Sequence, residues 1–257
     1  MNKISKLAVA SVLCASALWA SNLKAEASIE LGALKNFDLL RVLPAIEGYK
    51  PRFILGDIHG FVRVFEQRGV GFEEVWVSEY LEGAIAGIEL ADMDNDTREE
   101  IVLYTNTGRF HYLDITTYAI KWSNPPSEYE QITALTVQNV DDDPQPELIF
   151  CADGRLIIYD GRDHFEEWRS DQDNITATEL LIADVDGDSE REIVLNDGFV
   201  FDASFHDLEW QSPSQFGDKM GILDVDNDGI VELVGEFRGR FIRIFDVDLR
   251  REKSLKR

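Results

Sequence analysis

An all-β fold of five four-stranded antiparallel blades is predicted by three sets of residues that recur along this chain of 257 residues. An acidic loop of constant spacing occurs four times, each time directly before an apolar strand. Five glycines recur at intervals of 41 to 48 residues, and a tryptophan follows four of them. Each interval has room for four short strands, which is typical of a β-propeller blade. The recurring residues are Gly60, Gly108, Gly154, Gly198 and Gly239, and Trp76, Trp122, Trp168 and Trp210.

The elements of each unit follow one order. An apolar strand leads into the acidic loop, a second apolar strand follows, and the glycine marks a tight hairpin before the third strand. A turn then leads to a fourth strand, which carries the tryptophan. The fifth unit has no tryptophan and no evident fourth strand. We therefore predict that the N-terminal segment SIELGALKN, residues 28–36, completes the fifth blade and closes the ring, which removes open sheet edges.

Each acidic loop places an oxygen-bearing side chain at its first, third, fifth and ninth positions. Calcium takes six to eight oxygen ligands, and carboxylates at alternate positions of a loop can turn inward together. Solvated Asp-rich turns are the alternative interpretation, but they do not explain a glutamate that opens an apolar strand in every copy. We predict up to four Ca²⁺ ions, with the ligand sets Asp92, Asp94, Asp96, Glu100; Asn139, Asp141, Asp143, Glu147; Asp184, Asp186, Asp188, Glu192; and Asp224, Asp226, Asp228, Glu232.

The loops differ in how well they match a calcium loop. Gly229, at the sixth position of the Asp224 loop, permits the sharp turn that calcium loops require. The Asn139 loop has a neutral first ligand, and Pro144 replaces the glycine and fixes φ near −65°. The first unit is predicted to hold no ion, because its ligand positions are occupied by Pro44, Ile46, Gly48 and Arg52.

The segments DMDNDTREEIVL, NVDDDPQPELIF, DVDGDSEREIVL and DVDNDGIVELVG resemble the FG-GAP and VCBS repeats of β-propellers related to the head domain of integrin α chains. The resemblance covers about residues 38–249. It implies that each loop joins the innermost strand to the second and binds calcium, while ligands dock on the opposite face. The chain departs from the family in having Glu at the ninth position, in lacking a sixth-position Gly in three loops, and in lacking a Phe-Gly-Gly-Ala-Pro stretch.

The N-terminal residues predict export. Two lysines precede an apolar run from Leu7 to Ala20, and Ala-Glu-Ala ends at residue 27, as in a secretory signal peptide. We assign residues 1–27 to the signal peptide, 28–249 to the propeller and 250–257 to a basic C-terminal tail. The expected location is periplasmic or secreted, with no transmembrane segment after cleavage.

The formal net charge of −24 argues against nucleic-acid partners, whose phosphates would be repelled. Fifteen of the acidic residues are predicted ion ligands, so the excess of acid is partly a means of binding cations. We expect a protein or glycan partner.

No catalytic pattern is evident in the sequence, and a non-enzymatic module for protein interaction or adhesion is the predicted function. His164 and His206 precede their tryptophans by four residues, where other units have Phe72 and Tyr118, so these positions are expected to pack. A carbohydrate-binding propeller that stacks sugars on its tryptophans is the alternative. A polysaccharide-acting enzyme is less favoured, because it needs two carboxylates facing each other across the funnel. Ligand contacts opposite the ion loops are predicted at His59, Tyr80, Tyr129 and Phe216.

Overall fold

The protein is all-β, as the sequence predicts. The structure, a computed structural model, describes residues 39–141 and 143–253. Within these residues, twenty strands form five antiparallel sheets of four strands each, and none forms an α-helix. Among them, no helix has the length and apolar character needed to cross a membrane. The predicted signal peptide, residues 1–27, and the predicted ring-closing segment, residues 28–36, lie outside the described residues.

Each sheet takes its four strands from one repeat unit, in chain order. The strands are Leu40–Val42 (β1), Arg52–Gly56 (β2), Val62–Arg68 (β3), Gly71–Val77 (β4), Ile85–Ala91 (β5), Glu100–Thr105 (β6), Phe110–Asp114 (β7), Ile120–Ser123 (β8), Ile132–Gln138 (β9), Glu147–Ala152 (β10), Arg155–Asp160 (β11), Glu166–Arg169 (β12), Leu180–Ala183 (β13), Glu192–Leu195 (β14), Phe199–Asp202 (β15), Leu208–Gln211 (β16), Lys219–Leu223 (β17), Glu232–Phe237 (β18), Phe241–Asp246 (β19) and Arg251–Lys253 (β20).

Successive sheets contact each other through their first strands. β1 contacts β5, β5 contacts β9, β9 contacts β13, and β13 contacts β17. In every sheet the second strand pairs with both the first and the third. Four-stranded sheets joined side by side along their first strands are the arrangement of a β-propeller, with the first strand innermost.

The recurring glycines mark the hairpin between the second and third strands of each sheet. All five have a positive φ, between 61° and 114°, a backbone conformation that glycine adopts without a steric penalty. At Gly60, Gly108 and Gly154 a side chain would also collide with the segment that leads to the next sheet. A Cβ at Gly108 would lie 2.1 Å from the Tyr129 carbonyl oxygen, and one at Gly154 would lie 2.6 Å from that of Asp173.

The hydrophobic core lies between neighbouring sheets. The second strands β6, β10 and β14 are buried along their whole length, because both of their faces are covered by other sheets. The fourth-strand tryptophans pack across these interfaces on an aromatic residue of the following sheet. Trp76 contacts Tyr118, Trp122 stacks on His164 with ring centroids 4.0 Å apart, and Trp168 contacts His206.

The prediction that the fifth unit lacks its fourth strand is wrong. β20, formed by Arg251, Glu252 and Lys253, pairs with β19 at this position, so part of the predicted basic tail belongs to a sheet. Ion pairs, and not the burial of apolar side chains, attach β20 to β19. Arg243 and Glu252 form an ion pair between the two strands, and Arg251 lies 3.4 Å from Asp246.

Candidate metal centres

The four acidic loops occupy equivalent places in four sheets, each between the first and second strands. They join β5 to β6, β9 to β10, β13 to β14 and β17 to β18. The ninth-position glutamate is the first residue of the second strand in every case. Each loop therefore lies at the end of the sheet opposite the glycine hairpin, as the sequence predicts.

The ninth-position glutamates are buried, and all four accept the same hydrogen bond from the loop backbone. Their exposed fractions range from 0% to 3%. One carboxylate oxygen, Oε2, accepts the backbone N–H of the second loop residue in all four sheets, at 2.7 to 3.0 Å. This bond leaves the second oxygen, Oε1, for another partner. The four glutamates are Glu100, Glu147, Glu192 and Glu232.

The first- and fifth-position carboxylates shape the loop by accepting its backbone N–H groups. Asp184 accepts from Gly187 and Ser189, and Asp188 accepts from Glu190. In two of the three loops without a sixth-position glycine the sixth residue still has a positive φ, with 77° at Ser189 and 73° at Thr97. The absence of glycine from these two loops thus does not prevent the turn, because the aspartate bonds stabilise it.

Oxygen atoms from three carboxylates converge in each loop. In every group the contributing atoms lie within 4.8 Å of one another, which suits ligation of a single cation. Asp188 and Asp228 lie outside the groups at this distance, as does Glu100. The amide Nδ2 of Asn139 donates to the Asp143 carbonyl within its loop. The groups are Asp92, Asp94 and Asp96; Asp141, Asp143 and Glu147; Asp184, Asp186 and Glu192; and Asp224, Asp226 and Glu232.

The Asp184 loop has the donor set that fits a divalent cation best. Glu192 is 0% exposed, and its Oε1 atom has no hydrogen-bond partner. Burial, together with the nearby charges of Asp186 and Glu209, raises the pKa of Glu192 to about 8. Burial and the charges of Asp141 and Glu167 likewise raise the pKa of Glu147, to about 7. A bound cation would supply the positive charge that these carboxylates lack.

Two of the loops contain a lysine from the fourth strand of their own sheet. Lys121 of β8 lies 2.7 Å from both Asp94 Oδ2 and Glu100 Oε1. Lys253 of β20 lies 2.7 Å from Asp226 Oδ2 and also donates to Glu232 Oε1. These lysines were not predicted as part of the loops, because each is remote in sequence from the carboxylates that it contacts.

The first sheet has a buried arginine in place of the glutamate. Arg52 opens β2 and pairs with Glu66 of β3, as Glu100 pairs with Asp114 in the second sheet. Its guanidinium donates to the Tyr118 hydroxyl at 2.6 Å and lies over the Tyr49 ring. A cationic side chain at this position opposes cation binding.

A further column of aspartates at this end of the sheets was missed in the sequence. Each ends the third strand and accepts backbone N–H groups of the turn that follows, as Asp160 does from Arg162. In Asp114, burial raises the pKa, but hydrogen bonds from Thr116 and Thr117 outweigh it and the net pKa is lowered. In the three units that have both residues, the signal in the sequence is an aspartate at a fixed distance before the tryptophan; Asp246 has no tryptophan after it. The column consists of Asp114, Asp160, Asp202 and Asp246.

The predicted ligand contacts separate into exposed and buried residues. His59 is exposed, and Tyr80 is 59% exposed. Phe216 is 0% exposed, so its assignment as a ligand contact is replaced by a packing role, whereas Tyr129 is 3% exposed and also lines a cleft at the hairpin end of the sheets. Tyr129 packs on Phe150 at 5.1 Å, and Phe216 packs on Phe245 at 5.0 Å. Apolar burial at the start of the next sheet accounts for both.

A cleft lies at the hairpin end of the second and third sheets. Its volume is about 460 Å³, and its lining is largely polar and charged. Arg109 in this cleft forms an ion pair with Glu82 at 2.8 Å. Glu130 and Ser127, from the segment that joins the two sheets, form the other side.

Solved structures with a similar fold include the β-propeller proteins BBS1N and Sqt1. BBS1N, crystallised in complex with ARL6DN, has 12% identity and a TM-score of 0.58, over 84% of this chain and 67% of its own. Sqt1 of Saccharomyces cerevisiae has 13% identity and a TM-score of 0.56, over 83% of this chain and 61% of its own. The V. cholerae biofilm matrix protein Bap1 has 18% identity and a TM-score of 0.55, over 82% and 37%.

These similarities concern the fold alone, because the identities are low and the chain spans less than two thirds of Sqt1 and Bap1. No protein-family model matches this chain, and neither does any curated protein. Together with the five four-stranded sheets, the similarities support a β-propeller.

Proposed function

We propose that this protein is an exported, calcium-binding β-propeller of the FG-GAP/VCBS type that acts as a non-enzymatic protein-interaction or adhesion module. The observation that carries the calcium assignment is Glu192. Its buried Oε1 has no hydrogen-bond partner, and a carboxylate oxygen of Glu192 lies within 4.8 Å of ligand atoms of Asp184 and Asp186. A buried carboxylate oxygen without a partner is costly, and a calcium ion in the loop offsets that cost.

The interaction role is supported by the similar structures and by the surface opposite the ion loops. BBS1N was crystallised with a protein partner, ARL6DN, and Bap1 is a biofilm matrix protein. On this chain, Tyr80 presents an exposed ring at the hairpin end, and the cleft beside Arg109 is at the same end of the sheets. Exposed aromatic side chains are frequent centres of protein interfaces.

The carbohydrate-binding alternative is less well supported. It requires tryptophan faces that are open to a sugar ring. The face of Trp122 is covered by the parallel ring of His164, at an interplanar angle of 4°. Trp76 and Trp168 are also in contact with rings of the next sheet. These contacts favour packing as the role of the repeated tryptophans.

Calcium binding is tested with the substitution Glu192→Gln, which keeps the shape of the side chain and removes its charge. Calorimetric titration with CaCl₂, after removal of metal and confirmation by metal analysis, should show one ion fewer per chain than the unmodified protein binds. The same stoichiometry and affinity in both proteins would contradict the assignment.

The interaction face is tested by capture from the exported protein fraction, with and without calcium. Tyr80→Ser should reduce capture of the partner. Val70→Ser is the matched control, because Val70 is also an exposed apolar residue but lies in the turn between β3 and β4, at the ion-loop end of its sheet. Equal capture by both variants would exclude Tyr80 from the interface.

A further inference from the structure

The four acidic loops divide into two classes according to the residue that the fourth strand brings to them. In the second and fifth sheets this residue is a lysine, Lys121 or Lys253. Each lysine contacts the same two ligand positions, the third and the ninth, through the pairs Asp94 and Glu100, and Asp226 and Glu232. The sequences around the two lysines are unrelated, so the shared geometry reflects the position of the fourth strand beside the loop.

In the third and fourth sheets the equivalent residue is a glutamate. Trp122 pairs with Tyr112, Trp168 pairs with Ile158, and a bulge precedes the tryptophan in each case. The residue before the tryptophan, which is Lys121 in the second sheet, is therefore Glu167 in the third. By the same register it is Glu209 in the fourth sheet. In the fifth sheet Lys253 pairs with Ile244, the level at which the other sheets have tryptophan, and its ammonium group reaches the same two ligand positions from there.

We propose that Lys121 and Lys253 are built-in counter-cations that close the loops of the second and fifth sheets to calcium, so that calcium binds only in the Asn139 and Asp184 loops. This inference rests on the proposed calcium-binding function. An ammonium group bonded to both Asp94 and Glu100 already neutralises oxygens that calcium would need. To enter, calcium must displace this group or remain beside it against like-charge repulsion.

The ligand carboxylates of the other two loops have no lysine within bonding distance among the described residues, and Glu167 and Glu209 lie beside them instead. Arg191 donates to the backbone carbonyl of Asn139 at 2.7 Å and thus leaves the carboxylates of that loop free for an ion. In the Asp184 loop the Oε1 atom of Glu192 is buried and without a partner, whereas the Oε1 atoms of Glu100 and Glu232 are bonded to lysine. The two classes thus differ in whether a lysine of the chain is bonded to the ligand carboxylates.

The direct test counts the calcium ions bound per chain, by equilibrium dialysis against CaCl₂ followed by metal analysis. The unmodified protein should bind two ions. The double variant Lys121→Met, Lys253→Met should bind four, because both closed loops are opened. Lys50→Met is the matched control and should bind two, since this exposed lysine lies between β1 and β2, where no ligand set is present.

A reciprocal variant keeps the test decisive if the lysine variant does not fold. Glu167→Lys, Glu209→Lys changes residues on fourth strands, of which Glu167 is exposed and Glu209 half-buried, and leaves the buried glutamates in place. It should lower the number of bound ions from two to none, with an unchanged circular dichroism spectrum. Two ions retained by this variant would overturn the proposal.

The outcomes separate this inference from the calcium function on which it rests. Four ions bound by the unmodified protein, or two bound by the folded lysine double variant, would refute the role of the lysines and leave calcium binding intact. An absence of bound calcium in the unmodified protein and in every variant would refute the calcium function itself.

Discussion

The residue that most clearly distinguishes these loops from ordinary acidic turns is the buried ninth-position glutamate. Its Oε2 atom is held by a loop N–H in all four sheets, so the carboxylate is oriented before any ion arrives. What differs is the partner of Oε1, which is a lysine for Glu100 and Glu232 and is absent for Glu192. The ion-free protein therefore keeps an uncompensated carboxyl group in the fourth sheet, which opposes folding when it ionises.

This carboxyl group predicts the pH dependence of stability without calcium. The pKa of Glu192 is raised to about 8, from an ordinary value of 4.5. The folded protein therefore keeps a proton that the unfolded chain releases, and the unfolding free energy falls as the pH rises from about 4.5 to about 8. Burial lowers the pKa of His111 from 6.5 to about 4. His111 therefore makes the unfolding free energy rise as the pH rises from about 4 to 6.5, which is opposite to the effect of Glu192. In EDTA, ionisation of Glu192 should therefore lower the unfolding free energy by about 2 kcal/mol when the pH is raised from 6.5 to 8. Urea denaturation at the two pH values measures this change.

Glu192→Gln, which cannot ionise, is the control for this pH dependence. Its unfolding free energy in EDTA should change less between pH 6.5 and 8 than that of the unmodified protein. Parallel curves for the two proteins would show that Glu192 is not the titrating group.

At the scale of the element, the sheets are held together by aromatic contacts that cross from one sheet to the next. The aromatic residues that the tryptophans contact on the following sheet are Tyr118, His164 and His206. Each of them is a turn residue with φ between 60° and 64°. The tyrosine at the equivalent place shows that an aromatic ring, not the chemistry of histidine, is what this position requires. The histidines are thereby assigned to packing.

Substitution of His164 tests this contact. His164→Tyr should preserve stability, because Tyr118 has the same backbone conformation against Trp76. His164→Asn should lower the unfolding free energy by about 1 to 2 kcal/mol, since asparagine tolerates the positive φ but leaves the face of Trp122 uncovered. Urea denaturation measures both, and equal stability of the two variants would contradict a role for the stacked ring.

The fourth strand of the fifth sheet makes a second prediction at this scale. Deletion of residues 250–257 removes β20, its pairing with β19 and the ion pair between Arg243 and Glu252. It also exposes the edge of β19, whose Phe241 and Ile242 already have exposed side chains. We expect a lower melting temperature, measured by circular dichroism, and increased aggregation on heating, measured by light scattering. If these residues contribute nothing to the sheet, both quantities will be unchanged.

The sequence predicted those features that local chemistry determines. The spacing of Asp92, Asp94 and Asp96 identified a loop, and Gly108 identified a hairpin, because each signal lies within a few residues. β20 escaped prediction because Arg251, Glu252 and Lys253 include no apolar residue, and their partners are elsewhere in the sheet. The burial of Tyr129 and Phe216 depends on the neighbouring sheet, which no local pattern specifies.

At the scale of the whole molecule, the formal charge of −24 is concentrated in part on one end of the sheets, where the ion loops lie. Two lysines offset part of that charge from within the chain, and bound calcium would offset more. A cation that binds the folded loops but not the unfolded chain stabilises the fold by mass action. At a hundredfold excess over the dissociation constant each site contributes about 2.7 kcal/mol, so two sites add about 5 kcal/mol.

Differential scanning calorimetry in the presence of either EDTA or CaCl₂ tests the central claim most directly. The account predicts a melting temperature higher by about 10 to 20 °C with calcium, which is the shift expected from about 5 kcal/mol in a domain of this size. Magnesium at the same concentration should have a smaller effect, because its octahedral geometry suits the loops less well. Superimposable melts of metal-free and calcium-loaded protein would contradict the account.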